Sequence, residues 1–371
     1  MWAEIYDTDP NNTSKWVRNG QFTEVLDFPF QQRVLAFVTE RTVMPLATLF
    51  NSDDFYLRKG VNVNRLGTFL GNHDMGRVGS FIGLNRSPEI SLKQNHLAHA
   101  LLFTLRGTPI VYYGDEFGLM GGSDKNARQD LFATEVSDWQ SEKRIGMEPV
   151  GSGDSFSKTN PLQQTLRTLS GIRGKYPAFS VGSQKINYAG AGWLVFSRID
   201  PTDGSTFLCV FNVNEESSTL ELPFELNSSW SKITGVGSLE RNNAQIELAL
   251  PGYSWAIFRA DSPLPPSTDQ ITLTRFRVDP LDNSRFEIAA RLSGTGSQSV
   301  IFQYRDFKGN WQDLGIDISP TFSKNIPDND LYRIFPDRGL FPKSGNLTVR
   351  AVVNNYDKEV ISAERSIALR K

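Results

Sequence analysis

Apolar positions in the first half of the chain follow two different periods. One short apolar run carries Phe69 and Leu70 and ends at Gly71, and a second lies at residues 109–113; both are typical of buried strands. Between them, Leu97, Leu101 and Leu105 recur every four residues, which predicts an amphipathic helix packed on a sheet. A strand, a helix and a strand in this order indicate a parallel βαβ unit with a right-handed crossover.

The middle of the chain contains a further helix and then a change of period. Asn160 as a cap, Pro161 in the first turn and an apolar stripe predict a helix that stops at Gly174. After Phe179 the apolar residues fall into short runs separated by turn residues, which indicates an antiparallel sandwich. The predicted strands are Trp193 to Ile199, Thr206 to Phe211, Thr219 to Leu222, Gln245 to Leu250 and Ser254 to Arg259.

A proline-rich stretch at 262–269 precedes another set of alternating runs. Its composition predicts an extended, semi-rigid linker. The strands predicted beyond it include Phe286 to Leu292, Ser299 to Tyr304 and Leu347 to Asn354, consistent with an immunoglobulin-like or fibronectin-like module. Tyr304 and Trp311 are candidates for stacking on sugar rings, although such aromatics more often fill a sandwich core.

The loops after the two buried strands of the first half carry the candidate chemistry. Asn72, His73 and Asp74 lie just past the end of the first strand, and Asp115 and Glu116 follow the second. Barrel enzymes keep their functional residues at the carboxyl ends of such strands. A lone His-Asp pair also fits an ordinary hydrogen-bonded loop, so the interpretation depends on the two loops together.

Both loops resemble motifs of the α-amylase superfamily of glycoside hydrolases. Phe69-Leu-Gly-Asn-His-Asp74 is similar to the family's motif at the end of the seventh barrel strand, and Gly107-Thr-Pro-Ile-Val-Tyr-Tyr-Gly-Asp-Glu116 is similar to its motif at the eighth. The segment Met1-Trp-Ala-Glu-Ile-Tyr-Asp-Thr-Asp-Pro10 resembles the fifth strand, with Ala3 where glycine is commoner, and Val25-Leu-Asp-Phe-Pro-Phe30 resembles the sixth.

The resemblance implies a fold class of α/β plus all-β, in three parts. Residues 1–175 would form the second half of a (β/α)8 TIM barrel, strands 5–8, near 1–5, 23–28, 66–70 and 109–113. The later parts would be an amylase-type β domain at 176–261, the linker at 262–269 and a β-sandwich module at 270–371. A half barrel leaves two sheet edges uncovered, so we expect the isolated chain to dimerise or to dissolve poorly.

The resemblance also implies roles for individual residues. Glu4 would be the acid/base that protonates the glycosidic oxygen, and Asp74 the acid that stabilises the oxocarbenium-like transition state. His73 would donate a hydrogen bond to a sugar hydroxyl at the bond-cleaving subsite. The other expected substrate-binding residues are Asn72, Arg77 and Arg128. Surface placement is the alternative for Glu4 and for both arginines.

A retaining glycosidase needs two carboxyl groups at the scissile bond, one of them a nucleophile. The family's nucleophile is the aspartate of an Arg-x-Asp motif on the fourth strand, which would precede residue 1. Phe276-Arg-Val-Asp279 imitates that motif but lies in predicted antiparallel sheet, and we reject it. Because a complete barrel takes about 250 residues, we expect the chain to be the carboxyl-terminal part of a longer enzyme and to be inactive alone.

The composition of the chain argues against nucleic acid and membranes as binding partners. A charged fraction of 22% and a net charge of −2 give no footprint for nucleic acid, and no apolar stretch reaches membrane-spanning length. The single Cys209 excludes an internal disulfide and has the surroundings of a buried strand position. His96 and His99 lack a third ligand, so a metal site there is only weakly indicated.

We expect no cofactor in this segment, because the calcium ligands common in the family lie in a domain upstream. The sequence leaves the localisation unknown; since starch is too large to import, we expect a secreted or periplasmic parent protein.

The sequence is compatible with two functions. One is a retaining α-glucan hydrolase acting on starch, maltooligosaccharides or related α-glucosides. The other is a non-catalytic glycan-binding or partner-binding remnant of the family. Retention of Glu4, His73 and Asp74 favours the hydrolase.

Overall fold

A computed structural model gives the fold of most of the chain. It describes residues 2–18, 22–83, 87–157, 159–223, 228–242, 245–263, 270–293, 299–323, 331–355 and 358–369.

Four short parallel strands form the sheet of the amino-terminal part. They are β1 (Trp2–Ala3), β2 (Glu24–Val25), β3 (Gly67–Phe69) and β4 (Thr108–Ile110). β1 pairs with β2 and β3 pairs with β4, and a parallel bridge from Leu26 to Gly67 joins the two pairs. β1, β2 and β3 lie within the segments predicted for them, β4 begins one residue before its predicted segment, and all four are shorter than predicted. Because all four run in one direction, Glu4 and the loop after β3 emerge at the same edge.

Seven α-helices surround and follow these strands. They are α1 (Pro10–Arg18), α2 (Phe28–Glu40), α3 (Val43–Leu49), α4 (Val78–Ile82), α5 (Pro88–Thr104), α6 (Ser137–Ser141) and α7 (Pro161–Lys175) among the described residues. The predicted stripe of α5 is confirmed, because Leu97 and Leu101 are completely buried. Asn160 caps α7 as predicted, but the helix runs through Gly174, since the Tyr176 amide still donates to the Ile172 carbonyl.

The β domain that follows consists of two antiparallel sheets. Its strands are β5 (Ser183–Gly190), β6 (Trp193–Ile199), β7 (Thr206–Asn212), β8 (Ser218–Pro223), β9 (Trp230–Gly235), β10 (Ser238–Asn242), β11 (Gln245–Leu250) and β12 (Ser254–Ala260). One sheet has the order β5-β6-β7-β12-β9 and the other β10-β11-β8. Cys209 is fully buried in β7, as its surroundings predicted. The β5-containing sheet shares an apolar core with the helices, in which Phe37, Leu101 and Phe196 are completely buried.

The last part of the chain is a second antiparallel sandwich. Its strands are β13 (Ile271–Val278), β14 (Phe286–Leu292), β15 (Val300–Arg305), β16 (Trp311–Asp317), β17 (Leu331–Ile334), β18 (Gly345–Asn355), β19 (Lys358–Ile361) and β20 (Arg365–Leu369). One sheet has the order β13-β14-β17; the other has the order β16-β15-β18-β19, with β20 also paired to β18. Asp279 of the rejected Arg-x-Asp segment has no exposed surface and is paired with Arg285 in this sandwich.

This module packs directly against the amino-terminal part. Val25 and Leu66 belong to the same apolar cluster as Ile288 and Phe302 of the module. Polar contacts reinforce this junction: Arg333 donates to Asp54 at 2.8 Å, and Arg18 lies 3.0 Å from Asp337. Most of the predicted linker, residues 264–269, lies outside the described residues, and the domain boundaries stay predictions.

Within the described ranges, no helix is both long enough and apolar enough to span a membrane.

Candidate active site

The loop after β3 is a closed turn built around Asn72. The Asn72 amide donates to the Gly76 carbonyl at 3.0 Å, and the Gly76 amide returns the bond at 3.1 Å. The Asn72 side-chain oxygen also accepts hydrogen bonds from the amides of Asp74 and Met75. Gly76 has φ +116°, a conformation that favours glycine. The turn holds Asn72 against its own backbone and exposes about half of the His73 and Asp74 side chains, 49% and 51%.

Arg77 anchors this turn from below and has no exposed side-chain surface. Its Nε donates to Gln129 at 2.9 Å, and its Nη1 donates to the Tyr113 carbonyl and lies 3.4 Å from the Asp115 carboxylate. Its guanidinium carbon is 4.5 Å from the centre of the Tyr112 ring. Arg77 therefore joins the β3 loop to the β4 loop and offers no surface to a substrate in this structure.

Two carboxyl groups beside Arg77 have shifted proton affinities. Burial raises the pKa of Asp115 to about 7, although the Arg77 charge opposes the shift. Burial likewise raises the pKa of Glu142 to about 7, while its hydrogen bond from Gln129 at 2.6 Å opposes the shift. The buried groups that hold the β3 loop, the Asp115 and Glu142 carboxyls beside Arg77, therefore change their charge near neutral pH.

Asp74 is held from the side by two basic residues. Arg128 Nη2 lies 3.0 Å and His73 Nε2 lies 3.4 Å from Asp74 Oδ1, and Arg128 also binds Asp124 at 2.6 Å. Both contacts use Oδ1; among the described residues, no hydrogen bond or ion pair joins Oδ2 to the protein. Arg128 thus reaches the site through Asp74, and one Asp74 oxygen is available to a ligand.

Glu4 and Asp74 line the same open cleft at the carboxyl edge of the strands. The cleft has a volume of about 530 Å³, and its described lining consists of Glu4, Tyr6, Asp74, Met75 and Phe81. Glu4 follows β1 directly and its side chain is exposed. The surface placement that was the alternative for Glu4 is therefore compatible with a position on the wall of the cleft. The structure therefore brings together the two residues that the sequence predicts to be catalytic.

Tyr6 was not predicted as part of the site. Its side chain is 76% exposed, and its ring packs edge-on against Phe28 with the centroids 5.1 Å apart. It lines both the first cleft and an adjoining cleft of about 590 Å³ along α2, which also share Met75 and Phe81. The signal in the sequence is the spacing, because alternate residues of an extended segment face the same side and Tyr6 follows Glu4 by two.

The other singled-out residues have ordinary partners. The His99 ring is buried and its Nδ1 lies 2.9 Å from the Asn95 carbonyl, whereas the His96 ring bonds Thr165. Within the described ranges, no group of three or more His, Cys, Asp or Glu side chains is placed to hold a metal ion. In the carboxyl-terminal module, Arg305 and Arg350 lie 4.8 and 4.2 Å from the centre of the Trp311 ring.

Comparison with known proteins agrees with the motif-based resemblance. A family model described as the α-amylase catalytic domain matches residues 1–156. An α-amylase of Streptomyces lividans is 31% identical over 326 residues, covering 85% of this chain and 35% of that protein. A cyclomaltodextrinase of Geobacillus thermopakistaniensis is 23% identical over 256 residues, covering 67% of this chain and 38% of that protein. The chain thus spans about a third of the length of these relatives.

Solved structures agree on the fold. An α-amylase of Anoxybacillus superposes with a TM-score of 0.55 at 22% identity, covering 71% of this chain and 52% of that one. A γ-cyclodextrin glucanotransferase described as from alkalophilic Bacillus clarkii superposes with a TM-score of 0.56 at 18% identity, covering 99% of this chain and 48% of that one.

Parallel strands followed by two antiparallel sandwiches are the fold that this chain shares with the superposed structures. The family model and the Streptomyces relative show the family: the chain belongs to the α-amylase superfamily of glycoside hydrolases.

Proposed function

We propose that this chain carries the proton donor and the transition-state stabiliser of a retaining α-glucan hydrolase. The observation that carries the proposal is the common cleft of Glu4 and Asp74 at the carboxyl edge of the parallel strands. Glu4 donates a proton to the glycosidic oxygen and later removes one from water. Asp74 offsets the positive charge that develops at the anomeric carbon. The names of the relatives support an α-glucan such as starch or a maltooligosaccharide as the substrate.

Some residues around these two carboxylates contact the sugar in this proposal, and others hold the Asp74 loop in position. His73, half-exposed beside Asp74, donates to a sugar hydroxyl, and Arg128 fixes the Asp74 carboxylate. Asn72 and Arg77 act as positioning residues, because the first closes the turn and the second anchors it from a buried position. The exposed ring of Tyr6 supplies an apolar face for a sugar ring next to Glu4.

A nucleophile is still required. Among the described residues that line the cleft, the carboxylates are Glu4 and Asp74, which take the other two roles. In this proposal the nucleophilic aspartate comes from barrel sequence outside this chain, as in the Arg-x-Asp motif of the family. The half-barrel arrangement of β1 to β4 is part of the same proposal.

Hydrolysis should therefore depend on a segment encoded in frame upstream of residue 1. The chain produced with that segment is expected to hydrolyse starch and maltooligosaccharides, and the chain alone is expected to be inactive. Glu4→Gln should lower kcat/KM on maltooligosaccharides by about 10²- to 10⁴-fold but should spare α-maltosyl fluoride, because fluoride leaves without a proton. Asp74→Asn should impair both substrates, and Glu240→Gln, at an exposed position of β10, is the matched control.

The possible results separate the two functions considered. Robust hydrolysis by the chain alone, abolished by Asp74→Asn, would contradict the need for an outside nucleophile. Equal loss on both substrates in Glu4→Gln would contradict its role as proton donor. An in-frame stop upstream, combined with saturable glucan binding and no turnover, would identify a binding remnant of the family.

A further inference from the structure

A second pocket lies where the carboxyl-terminal module meets the amino-terminal part. We call it the junction pocket; Leu57 and Arg58 line it from one side, and Leu314 and Phe335 line it from the other. Its volume is about 190 Å³, the space of about six water molecules. None of its described lining residues lines the cleft that contains Glu4 and Asp74.

Two guanidinium groups in this pocket have nitrogen atoms without acceptors. The Arg18 side chain is 8% exposed, and its Nε lies 3.0 Å from Asp337, whereas Nη1 has no hydrogen-bond partner among the described residues. Arg58 donates through Nη2 to the Phe22 carbonyl, but its buried Nε has no partner in the same part of the chain. Buried donors are nearly always paired in native proteins, and these two unpaired donors belong to guanidinium groups that line an empty volume.

The rest of the pocket is apolar at its floor and polar at its rim. Leu57, Leu314 and Phe335 are buried, and the half-buried ring of Tyr304 packs edge-on against Phe341 at 5.4 Å. Asp313 is exposed and accepts a hydrogen bond from Gln303 at 2.7 Å. An apolar floor with a few placed polar groups is the usual construction of a small-molecule site.

The charged residues that line the junction pocket indicate the net charge of the ligand it can bind. Arg18, Arg58 and Lys59 disfavour a cation, while Asp313 and Asp337 disfavour an anion. A neutral molecule rich in hydroxyl groups satisfies both sets, because each hydroxyl donates to a carboxylate and accepts from a guanidinium. Its C–H face then covers the apolar floor. We propose that the junction pocket binds a single neutral sugar ring, such as the terminal glucosyl unit of an α-glucan.

Such a site would hold a glucan to the surface without cleaving it. It goes beyond the proposed hydrolysis, because it uses none of the cleft residues. It also gives the carboxyl-terminal module a role in binding, since part of the pocket belongs to that module.

Calorimetric titration of the full chain with maltose tests this site. The titration uses the Asp74→Asn variant, which suppresses turnover at the catalytic cleft. We expect saturable maltose binding that falls at least tenfold in Leu340→Trp, which fills the pocket rim, and in Asp313→Ala, which removes an acceptor. Leu281→Trp and Glu221→Ala, both at exposed positions outside the pocket, should bind maltose unchanged.

Three results would overturn the proposal. They are the absence of saturable maltose binding, equal affinity in Leu340→Trp and its control, and displacement of maltose by inorganic phosphate, which would indicate an anion site. A thermal melt of each variant verifies that it is folded. Because Leu340 lines the junction pocket and not the catalytic cleft, the comparison of Leu340→Trp with its control is independent of whether Glu4 and Asp74 act as proposed.

Discussion

Arg77 anchors the loop that carries Asp74 to the loop after β4. It is completely buried, and its hydrogen bond to Gln129 spans 52 positions of sequence. A surface ion pair was the simple alternative for this arginine, and the structure excludes it. Its contacts could not be predicted, because they depend on how the loop after β4 folds back beneath the β3 loop.

Arg77→Met should destabilise the protein strongly. The change leaves the buried carboxyl of Asp115 without its cation, and breaking such a pair costs about 3–5 kcal/mol. Urea denaturation measures the loss. The double variant Arg77→Met/Asp115→Asn should recover part of it, because no charge is then left unpaired. Additive losses in the double variant would show that the ion pair does not couple the two loops.

His99 is expected to lower the free energy of unfolding in acid. Burial lowers the pKa of His99 from 6.5 to about 4. Since the folded state binds fewer protons than the unfolded state between these values, this residue's contribution to stability falls as the pH drops from 6.5 to 4, by about 3 kcal/mol. Free energies of unfolding at pH 7 and pH 4.5 measure the fall. His99→Gln should reduce it, and an unchanged pH slope in that variant would contradict the assignment.

At the scale of elements, strongly patterned segments are predicted well. The strands Trp193–Ile199, Gln245–Leu250 and Phe286–Leu292 have the predicted bounds. Strands β5 and β10 were not predicted, since each mixes polar residues among its apolar ones and is defined by its pairing with a neighbour. Strands β1 to β4 are two or three residues long, because only the residues next to the parallel partner complete the ladder.

Helix α7 depends on the cap at Asn160. Its side-chain oxygen accepts from the Leu162 amide at 2.8 Å, and its Nδ2 donates to the Ile145 carbonyl at 2.9 Å. Asn160 is completely buried, so Asn160→Ala should cost about 2 kcal/mol, one for the cap and one for the buried hydrogen bond. Ser87→Ala at the exposed start of α5 removes a cap alone and should cost about half as much in the same denaturation experiment. Equal losses would contradict a role of Asn160 beyond capping.

At the scale of the whole molecule, the parallel sheet has two open edges. Within the described residues, β1 pairs with β2 alone and β4 with β3 alone, and Trp2 on β1 is 43% exposed. Such edges favour association between chains. Sedimentation velocity at increasing concentration should therefore show self-association. Trp2→Lys should reduce it, and Phe307→Lys, at an exposed aromatic in the other half, should not. A monodisperse monomer with a sharp cooperative melt would contradict the open-edge interpretation.

The order of the three parts could be predicted from the period of the apolar residues, but their packing could not. The proline-rich stretch predicted an extended, semi-rigid linker, and this composition does not indicate that the module buries apolar side chains together with Val25 and Leu66. Contacts between residues such as Asp54 and Arg333, 279 positions apart, leave no local signal. The candidates Glu4 and Asp74 could be singled out from the sequence because each lies in a short motif at a strand end, and their catalytic roles stay predictions.

The bond between Asp54 and Arg333 has an evolutionary consequence. Asp54 is 1% exposed and depends on a cation supplied by another part of the chain. Recombination that replaced the last hundred residues with an unrelated sandwich would remove Arg333 and leave the buried Asp54 carboxyl without its partner. We therefore expect the carboxyl-terminal module to be inherited together with the amino-terminal part, and substitutions at positions 54 and 333 to occur in pairs.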